Sequence, residues 1–135
     1  MQAKARALQA RTHLFFVRTI RFCQSLPDTP ATSRISGQLV DAAGAADSNY
    51  RAACRGRSTR EFIAKIGVAA EEADECIGWL QALLAARIGD AEETSALLQE
   101  ANELTAIFAA SEKTARRNQT VRDAQERSSR RRNRT

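Results

Sequence analysis

The chain has 135 residues, a length that fits a single domain able to bury a core without disulfides or metals. Hydrophobic residues make up 43% of the sequence but aromatic residues only 5%, and with two prolines and six glycines this composition favours closely packed helices over sheets. No apolar run approaches the roughly 18 residues of a membrane span, and residues 1–11 are too polar for a secretory signal.

Charge is distributed unevenly along the chain, whose formal net charge is +5. Residues 1–60 contain ten Lys or Arg against three Asp or Glu, and residues 61–115 contain three against eleven. The last twenty residues contain eight Arg against Asp123 and Glu126. We therefore expect a nearly neutral but polarised body and a strongly basic C-terminal segment.

The cysteines and the one histidine predict neither a catalytic nor a metal site. Cys23, Cys54 and Cys76 are odd in number and form no C-x-x-C pair, so we expect reduced thiols in a cytoplasm. A zinc site or a Cys/His dyad with His13 would need a spacing that these residues lack. The sequence therefore predicts a protein that is not an enzyme, with no catalytic residue, no metal and no cofactor.

The first predicted helix runs over residues 3–25 and ends before Pro27. Thr29 is expected to cap the second helix, with Pro30 at its first position. Residues 42–46, in the middle of that helix, have almost no side-chain bulk, which allows close approach of a neighbouring helix. We expect Gly56 to end the helix in the left-handed conformation.

Residues 58–61 and 90–93 have the pattern of capping boxes, which begin a third and a fourth helix. Ile88 and Gly89 are expected to end the third helix. Its predicted inward seam is Phe62, Ile66, Ala69, Ala73, Ile77, Leu80 and Leu84. The fourth helix is expected to point Leu97, Ala101, Leu104, Thr105 and Phe108 inward.

Short connectors place neighbouring helices antiparallel, so the predicted fold is all-α, an up-down-up-down antiparallel four-helix bundle over residues 1–115. After Ala115 the apolar stripe ends, and only Val121 interrupts a run of polar residues. The prediction for residues 116–135 is a flexible Arg-rich tail, with the fourth helix fraying to about Gln125 and disorder beyond.

Several segments of the chain resemble a known family. These are QL at 38–39, SNYRAA at 48–53, EFIAKI at 61–66, EEADE at 71–75, WL at 79–80 and ELTAIF at 103–108. They are similar to the four-helix-bundle (S23-type) family, whose members are encoded within intervening sequences of 23S ribosomal RNA genes. The resemblance covers residues 19–117 and departs from the family pattern at Asp41, near Ala46 and Asp47, and at Ala52.

The resemblance implies a left-handed bundle that assembles into a homopentamer. The accessory variability determinant of diversity-generating retroelements is a similar pentameric bundle with a basic surface, and it partners a reverse transcriptase and nucleic acid. For most of the family, no function is assigned.

Two sets of residues are interpreted as structural. Glu72 is expected to pair with a buried polar group on the second helix, with Asn49, Tyr50 or Arg51 as candidates, and so to fix helix register. Leu14, Val17, Val68 and Trp79 lie off the inward seams, which predicts a subunit interface. The charged blocks could pair between subunits of a ring or within each monomer, and the sequence leaves both open.

The basic tail is the main indication of function. Arginines on a flexible segment suit phosphate contact without base specificity, and the candidates are Arg116, Arg117, Arg122, Arg127, Arg130, Arg131, Arg132 and Arg134. The sequence therefore predicts a homo-oligomeric scaffold that binds RNA or DNA, with ribosomal RNA or a reverse-transcriptase complex as partners. The alternative is a protein-interaction module with no nucleic-acid role.

Overall fold

The computed structural model describes residues 2–134 as four helices joined by short connectors. Helix α1 spans Ala3–Gln24, α2 Pro30–Cys54, α3 Thr59–Ala85 and α4 Ala91–Asn133. Each helix packs against the next, α1 also packs against α4, and no Cα atoms of α1 and α3 come within 8 Å. The expected all-α four-helix bundle is therefore confirmed.

Contacts between helices establish their antiparallel arrangement. Arg11 reaches Glu100 and Arg18 reaches Glu93, so α1 and α4 run in opposite directions. His13 reaches Asp47, whereas Cys23 reaches the Ser36 carbonyl, which gives the same result for α1 and α2. In both helix pairs, the contacts move toward the start of the partner helix as they move toward the end of α1.

Side-chain caps begin three of the helices as the sequence predicts. The Thr29 hydroxyl accepts from the Thr32 amide at 3.2 Å, and Ser58 accepts from Glu61 at 3.1 Å. Asp90 accepts from Glu93 at 3.3 Å. These bonds satisfy amides that have no partner within the helix, so they fix where α2, α3 and α4 begin.

The left-handed residues lie elsewhere than predicted. Helix α2 ends through Arg55 in a right-handed conformation, and Gly56 does not have a positive φ, so the prediction for Gly56 was wrong. A Cβ at Gly56 would lie 3.1 Å from the Ala53 carbonyl oxygen, which indicates a close backbone approach instead. The positive φ angles are those of Arg87 and Gly89, after α3.

Small side chains allow α2 to pack closely against its neighbours. Ala42, Ala43 and Ala46 are fully buried, and the Phe16 ring from α1 lies over Gly44, where a Cβ would be 3.0 Å from its Cζ. The close approach of a neighbouring helix that residues 42–46 predict stays a prediction, since at Gly44 the neighbour is the Phe16 ring.

The core of α3 is rotated slightly from the predicted seam. Cys76 and Leu83 are fully buried, whereas Ile77 and Phe62 only flank the core. Cys76 packs as a small hydrophobic residue, and burial raises the pKa of its thiol to about 12.

Helix α4 extends well past the bundle. It continues as helix through Asn133, past the Gln125 at which fraying was expected, and the flexibility expected of residues 116–135 stays a prediction. Its 43 residues correspond to about 65 Å of helix. Residues 116–133 are rich in good helix formers, and bonds such as Gln119 to Asp123 at 2.9 Å connect successive turns. No apolar face accompanies them: Val121 is 51% exposed.

Within residues 2–134, no helix combines the length and the apolar character that crossing a membrane requires.

Candidate nucleic-acid interface

The α4 extension, defined as residues 116–134, carries a basic face. Lys113, Arg117, Arg127, Arg131 and Arg134 fall on one side of α4, because Thr120 and Ala124 complete a regular spacing of three and four residues between them. All five cations are exposed. Their span corresponds to about 32 Å along the helix, with two cations before and three after the neutral pair Thr120 and Ala124.

The other candidate arginines of the extension are arranged differently. Arg116 donates to Glu112 at 2.9 Å, so much of its charge is compensated within α4. Arg122 points back toward the bundle and donates to the Thr59 hydroxyl at 2.9 Å. Arg130 and Arg132 are exposed near the helix end, where positive charge is favourable to the helix dipole.

A cleft of about 1380 Å³ opens beside the root of the extension. Three parts of the chain form it: the N-terminal turns of α1, the connection between α2 and α3, and the inward side of α4 around Ile107 and Arg122. No pattern in the sequence indicates this cleft, because its walls come from segments distant along the chain. The spacing pattern of one helix cannot reveal such a surface.

The side chains around the cleft combine positive charge with an apolar floor. Lys4, Arg57, Arg60 and Arg122 line it as cations, and none of the lining residues is Asp or Glu. Arg11 also lines it, but its guanidinium is bonded to Glu100 at 2.6 Å, and that hydrogen bond raises the pKa of Arg11. The cleft lies on the inward side of α4 and the basic face about half a turn around the same helix, so they are two separate positive surfaces.

A second polar cluster joins α1 to α2. Asp47 is 4% exposed and accepts from Arg51 at 3.0 Å, with His13 Nδ1 at 2.9 Å from the same oxygen. His13 itself is largely exposed, as the sequence predicts. The importance of Asp47 was missed, and the only signal was its position next to the buried Ala46 stripe.

The expected polar contact of Glu72 with α2 is absent from residues 2–134. Arg51 pairs with Asp47, the Asn49 amide donates to the Ala45 carbonyl at 2.9 Å, and the Tyr50 ring stacks on Phe108 at 5.1 Å. Burial raises the pKa of Glu72, and a hydrogen bond and like charge from Glu75 raise it further. Glu72 therefore belongs to an acidic cluster on α3 and does not fix helix register.

The predicted interface residues occupy two separate surfaces. Leu14 is 57% exposed on α1, with Val17 half-buried on the same helix. Val68 is 36% exposed on α3, whereas Trp79 packs partly against the core. The Trp79 indole N–H is buried and has no acceptor within residues 2–134. Because no Cα atoms of α1 and α3 come within 8 Å of each other, the two surfaces lie on diagonally opposite helices.

Ion pairs join basic residues of α1 to acidic residues of α4. Arg11 contacts both Glu100 at 2.6 Å and Glu103 at 3.3 Å, and Arg18 lies 3.6 Å from Glu93. Basic residues of α1 thus meet acidic residues of α4 within one monomer. The acidic cluster of α3 has no such pairing among the described residues, so it remains available to an external partner.

The cysteines and acidic residues form no obvious metal site. Cys23, Cys54 and Cys76 are free thiols. Among residues 2–134, no three His, Cys, Asp or Glu side chains gather in a way that could hold a metal ion. His13 lies in the Asp47 cluster and does not line the cleft.

Comparison with known proteins identifies relatives by fold and family. The structure is similar to the crystal structure of a protein of unknown function from the S23 ribosomal protein family of Bacteroides thetaiotaomicron, with a TM-score of 0.74 and 22% identity. The alignment covers 82% of this chain and 98% of that one. No curated protein matches the chain.

The family model described as 23S rRNA-intervening sequence protein matches residues 6–110. This match takes in the bundle and stops before the α4 extension begins. The family description names no reaction, and the similar crystal structure is itself of unknown function. By this match over most of its length, the chain belongs to the 23S rRNA-intervening sequence protein family.

Proposed function

We propose that the protein is a non-catalytic, homo-oligomeric scaffold that binds nucleic acid through the basic face of the α4 extension. The single observation that carries this proposal is the alignment of Lys113, Arg117, Arg127, Arg131 and Arg134 on one exposed side of a continuous helix. Exposed cations aligned on one side of a helix suit a phosphate backbone.

The contacts of the basic face support phosphate binding over an internal role. Three arginines of this face make no side-chain hydrogen bond or ion pair with residues 2–134: Arg117, Arg127 and Arg131. Their positive charge is therefore available to an external anion. No aromatic side chain lies on the extension, so the expected interaction is with phosphates and carries no base specificity.

An oligomer is part of the proposal. A closed ring built head to tail needs two different surfaces on each subunit, and the pair Leu14 with Val17 and the pair Val68 with Trp79 supply two on opposite helices. The family resemblance implies a homopentamer. Several copies of the extension on one ring would raise the avidity for a long strand without any new type of contact.

The scaffold role is favoured over enzyme activity by the composition of the cleft. Its lining residues include several cations but no carboxylate and no histidine, so a general base of the usual kind is missing from it. A cytoplasmic location completes the proposal, because the free thiols would stay reduced there.

A protein partner is the second candidate. The unpaired acidic cluster around Glu72 on α3 would suit a basic protein such as a reverse transcriptase, which itself carries RNA. In that case the α4 extension would contribute little to complex formation.

Fluorescence polarisation of labelled RNA, both single-stranded and duplex, distinguishes the two candidates. The full chain is compared with a chain ending at Ala115, at matched oligomer concentration. We expect the full chain to bind both RNAs and the shortened chain to lose at least about tenfold in affinity, since several phosphate contacts are removed. Equal binding by the two chains, or no binding by either at low salt, would exclude this role for the extension.

A further inference from the structure

The cleft beside the α4 extension has the properties of a ligand site in its own right. Its cations come from three separate elements: Lys4 from α1, Arg57 and Arg60 from the start of α3 and its connector, and Arg122 from α4. No carboxylate lines the cleft; the Glu61 carboxylate lies close by and accepts from the Arg57 backbone amide at 2.6 Å, but it is not part of the lining. An anionic group is the ligand that such a site favours.

The floor of the cleft limits what else the ligand must contain. Leu8, Phe62 and Ile107 line it and are each only partly buried, so apolar surface is open to a ligand. Tyr50 lies deeper and is held by stacking on Phe108. Inorganic phosphate alone would leave this apolar surface uncovered. The fitting ligand therefore joins an anion to a flat or apolar body.

The extension forms one wall of the cleft. Arg122 Nη1 donates to Thr59 Oγ1 at 2.9 Å, which ties α4 to the connection between α2 and α3 across 63 residues of sequence. Arg122 lies about half a turn around α4 from the basic face, so a strand held on that face must pass around the helix to reach the cleft. An unpaired nucleotide of such a strand would enter the cleft at the root of the extension.

From this arrangement we propose that the cleft binds a nucleoside phosphate unit, namely an unpaired nucleotide of a bound single strand. Its phosphate contacts Arg57, Arg60 and Arg122, and its base packs against the Phe62 ring. This inference rests on the proposed function, since the strand that supplies the nucleotide is the one held by the extension.

Isothermal titration of the full chain with adenosine 5′-monophosphate tests the cleft directly. Adenosine lacks the phosphate, pyrophosphate lacks the base, and decanoate is an apolar anion without a base. We expect adenosine 5′-monophosphate to bind at least about tenfold more tightly than any of the three, because only it can use both the cations and the floor.

Two variants and one control locate the binding. The double variant R57Q/R60Q is expected to weaken adenosine 5′-monophosphate about tenfold or more, and F62L about fivefold, through loss of charge and of stacking. The control R21Q/R34Q removes the same charge from exposed positions outside the cleft and should bind as the unmodified chain does. Thermal unfolding of each variant verifies that the bundle is intact.

Three results would overturn the inference: no binding of adenosine 5′-monophosphate at millimolar concentration, tighter binding of decanoate, or equal losses in R57Q/R60Q and R21Q/R34Q. Its failure is separable from failure of the proposed function. If RNA binding depends on Arg127, Arg131 and Arg134 but not on Arg57 and Arg60, only the cleft proposal is rejected. If the cleft binds the nucleotide but RNA binding does not depend on the extension, only the proposed function is rejected.

Discussion

Glu72 lies on α3 among carboxylates, and its pKa is raised first by burial and then by Glu75 and Glu71. A folded-state pKa above the unfolded value means that the charged form is disfavoured in the fold. The contribution of Glu72 to the free energy of unfolding is therefore fully present below the unfolded pKa, near pH 4. It is lost as the pH rises through the raised pKa of the folded state.

Replacing Glu72 by Gln should consequently stabilise the protein at neutral pH. We expect E72Q to raise the free energy of unfolding by about 0.2–0.5 kcal/mol at pH 7, the usual size of a like-charge helix pair, and to have almost no effect near pH 3. Urea unfolding at the two pH values measures this difference.

The control for Glu72 is E71Q, which removes a charge from a more exposed position of the same cluster and should have a smaller effect. Destabilisation by E72Q at pH 7 would contradict this account and would restore the expected polar partner on α2.

Replacing glycine by alanine is expected to have opposite effects on stability within α3 and in the turn that follows it. Gly78 lies within α3, and a Cβ there meets no atom within 4 Å. Gly89 follows α3 with φ of 85°, and a Cβ there would lie 2.5 Å from Leu26 Cδ2. At Gly89 the positive φ favours glycine, and a Cβ would in addition require the Leu26 side chain to move.

We therefore expect G78A to raise the free energy of unfolding by about 0.5–1 kcal/mol and G89A to lower it by more than about 1 kcal/mol. Thermal or urea unfolding of the two variants side by side provides a matched comparison. Stabilisation by G89A would show that the turn after α3 can rearrange without cost.

The α4 extension is a helix without a packed apolar face. Its residues are helical through Asn133, yet without a packed apolar face only intrinsic propensity and contacts between successive turns support them. Isolated helical segments of this length are marginal in water, so the flexibility predicted from the sequence stays a prediction.

Hydrogen exchange tests that flexibility. We expect the amides of residues 118–133 to exchange at least about tenfold faster than those of residues 97–108, whose side chains reach the core. Addition of single-stranded RNA should slow exchange in the extension and leave the core segment unchanged. Slow exchange throughout the free helix would contradict the prediction.

The sequence predicted the bundle well because its local signals agree with one another. Thr29, Ser58 and Asp90 mark helix starts through a short-range hydrogen bond that spacing alone can reveal. The partner of Glu72 and the cleft could not be predicted in this way. Each depends on the rotation of one helix against another, which a single sequence with an alanine-rich stripe constrains weakly.

At the scale of the whole molecule, the exposed surface is large for the mass. The chain exposes 8690 Å², whereas a compact monomer of 14.8 kDa is expected to expose roughly 7000 Å². The projecting helix accounts for part of the excess, and the exposed Leu14 and Val68 surfaces are consistent with burial in an oligomer.

Charged substitutions on those two surfaces test the assembly. We expect L14E and V68E each to shift the oligomer toward monomer in light scattering after gel filtration, because each places a charge in a buried contact. S95E, at an exposed position of α4 outside both surfaces, is the control. A monomeric unmodified chain at micromolar concentration would remove the oligomer from the proposal.

The salt dependence of RNA binding tests the central claim most directly. The affinity of the full chain for a single-stranded RNA is measured between about 50 and 200 mM salt, together with R127Q/R131Q/R134Q and the equally charged control R21Q/R34Q/K65Q. If the basic face contacts phosphates, the first variant reduces the magnitude of the logarithmic salt slope by about 2, at roughly 0.7 per contact, and the control leaves it unchanged. Equal slopes for all three proteins would contradict a phosphate-binding role for the α4 extension.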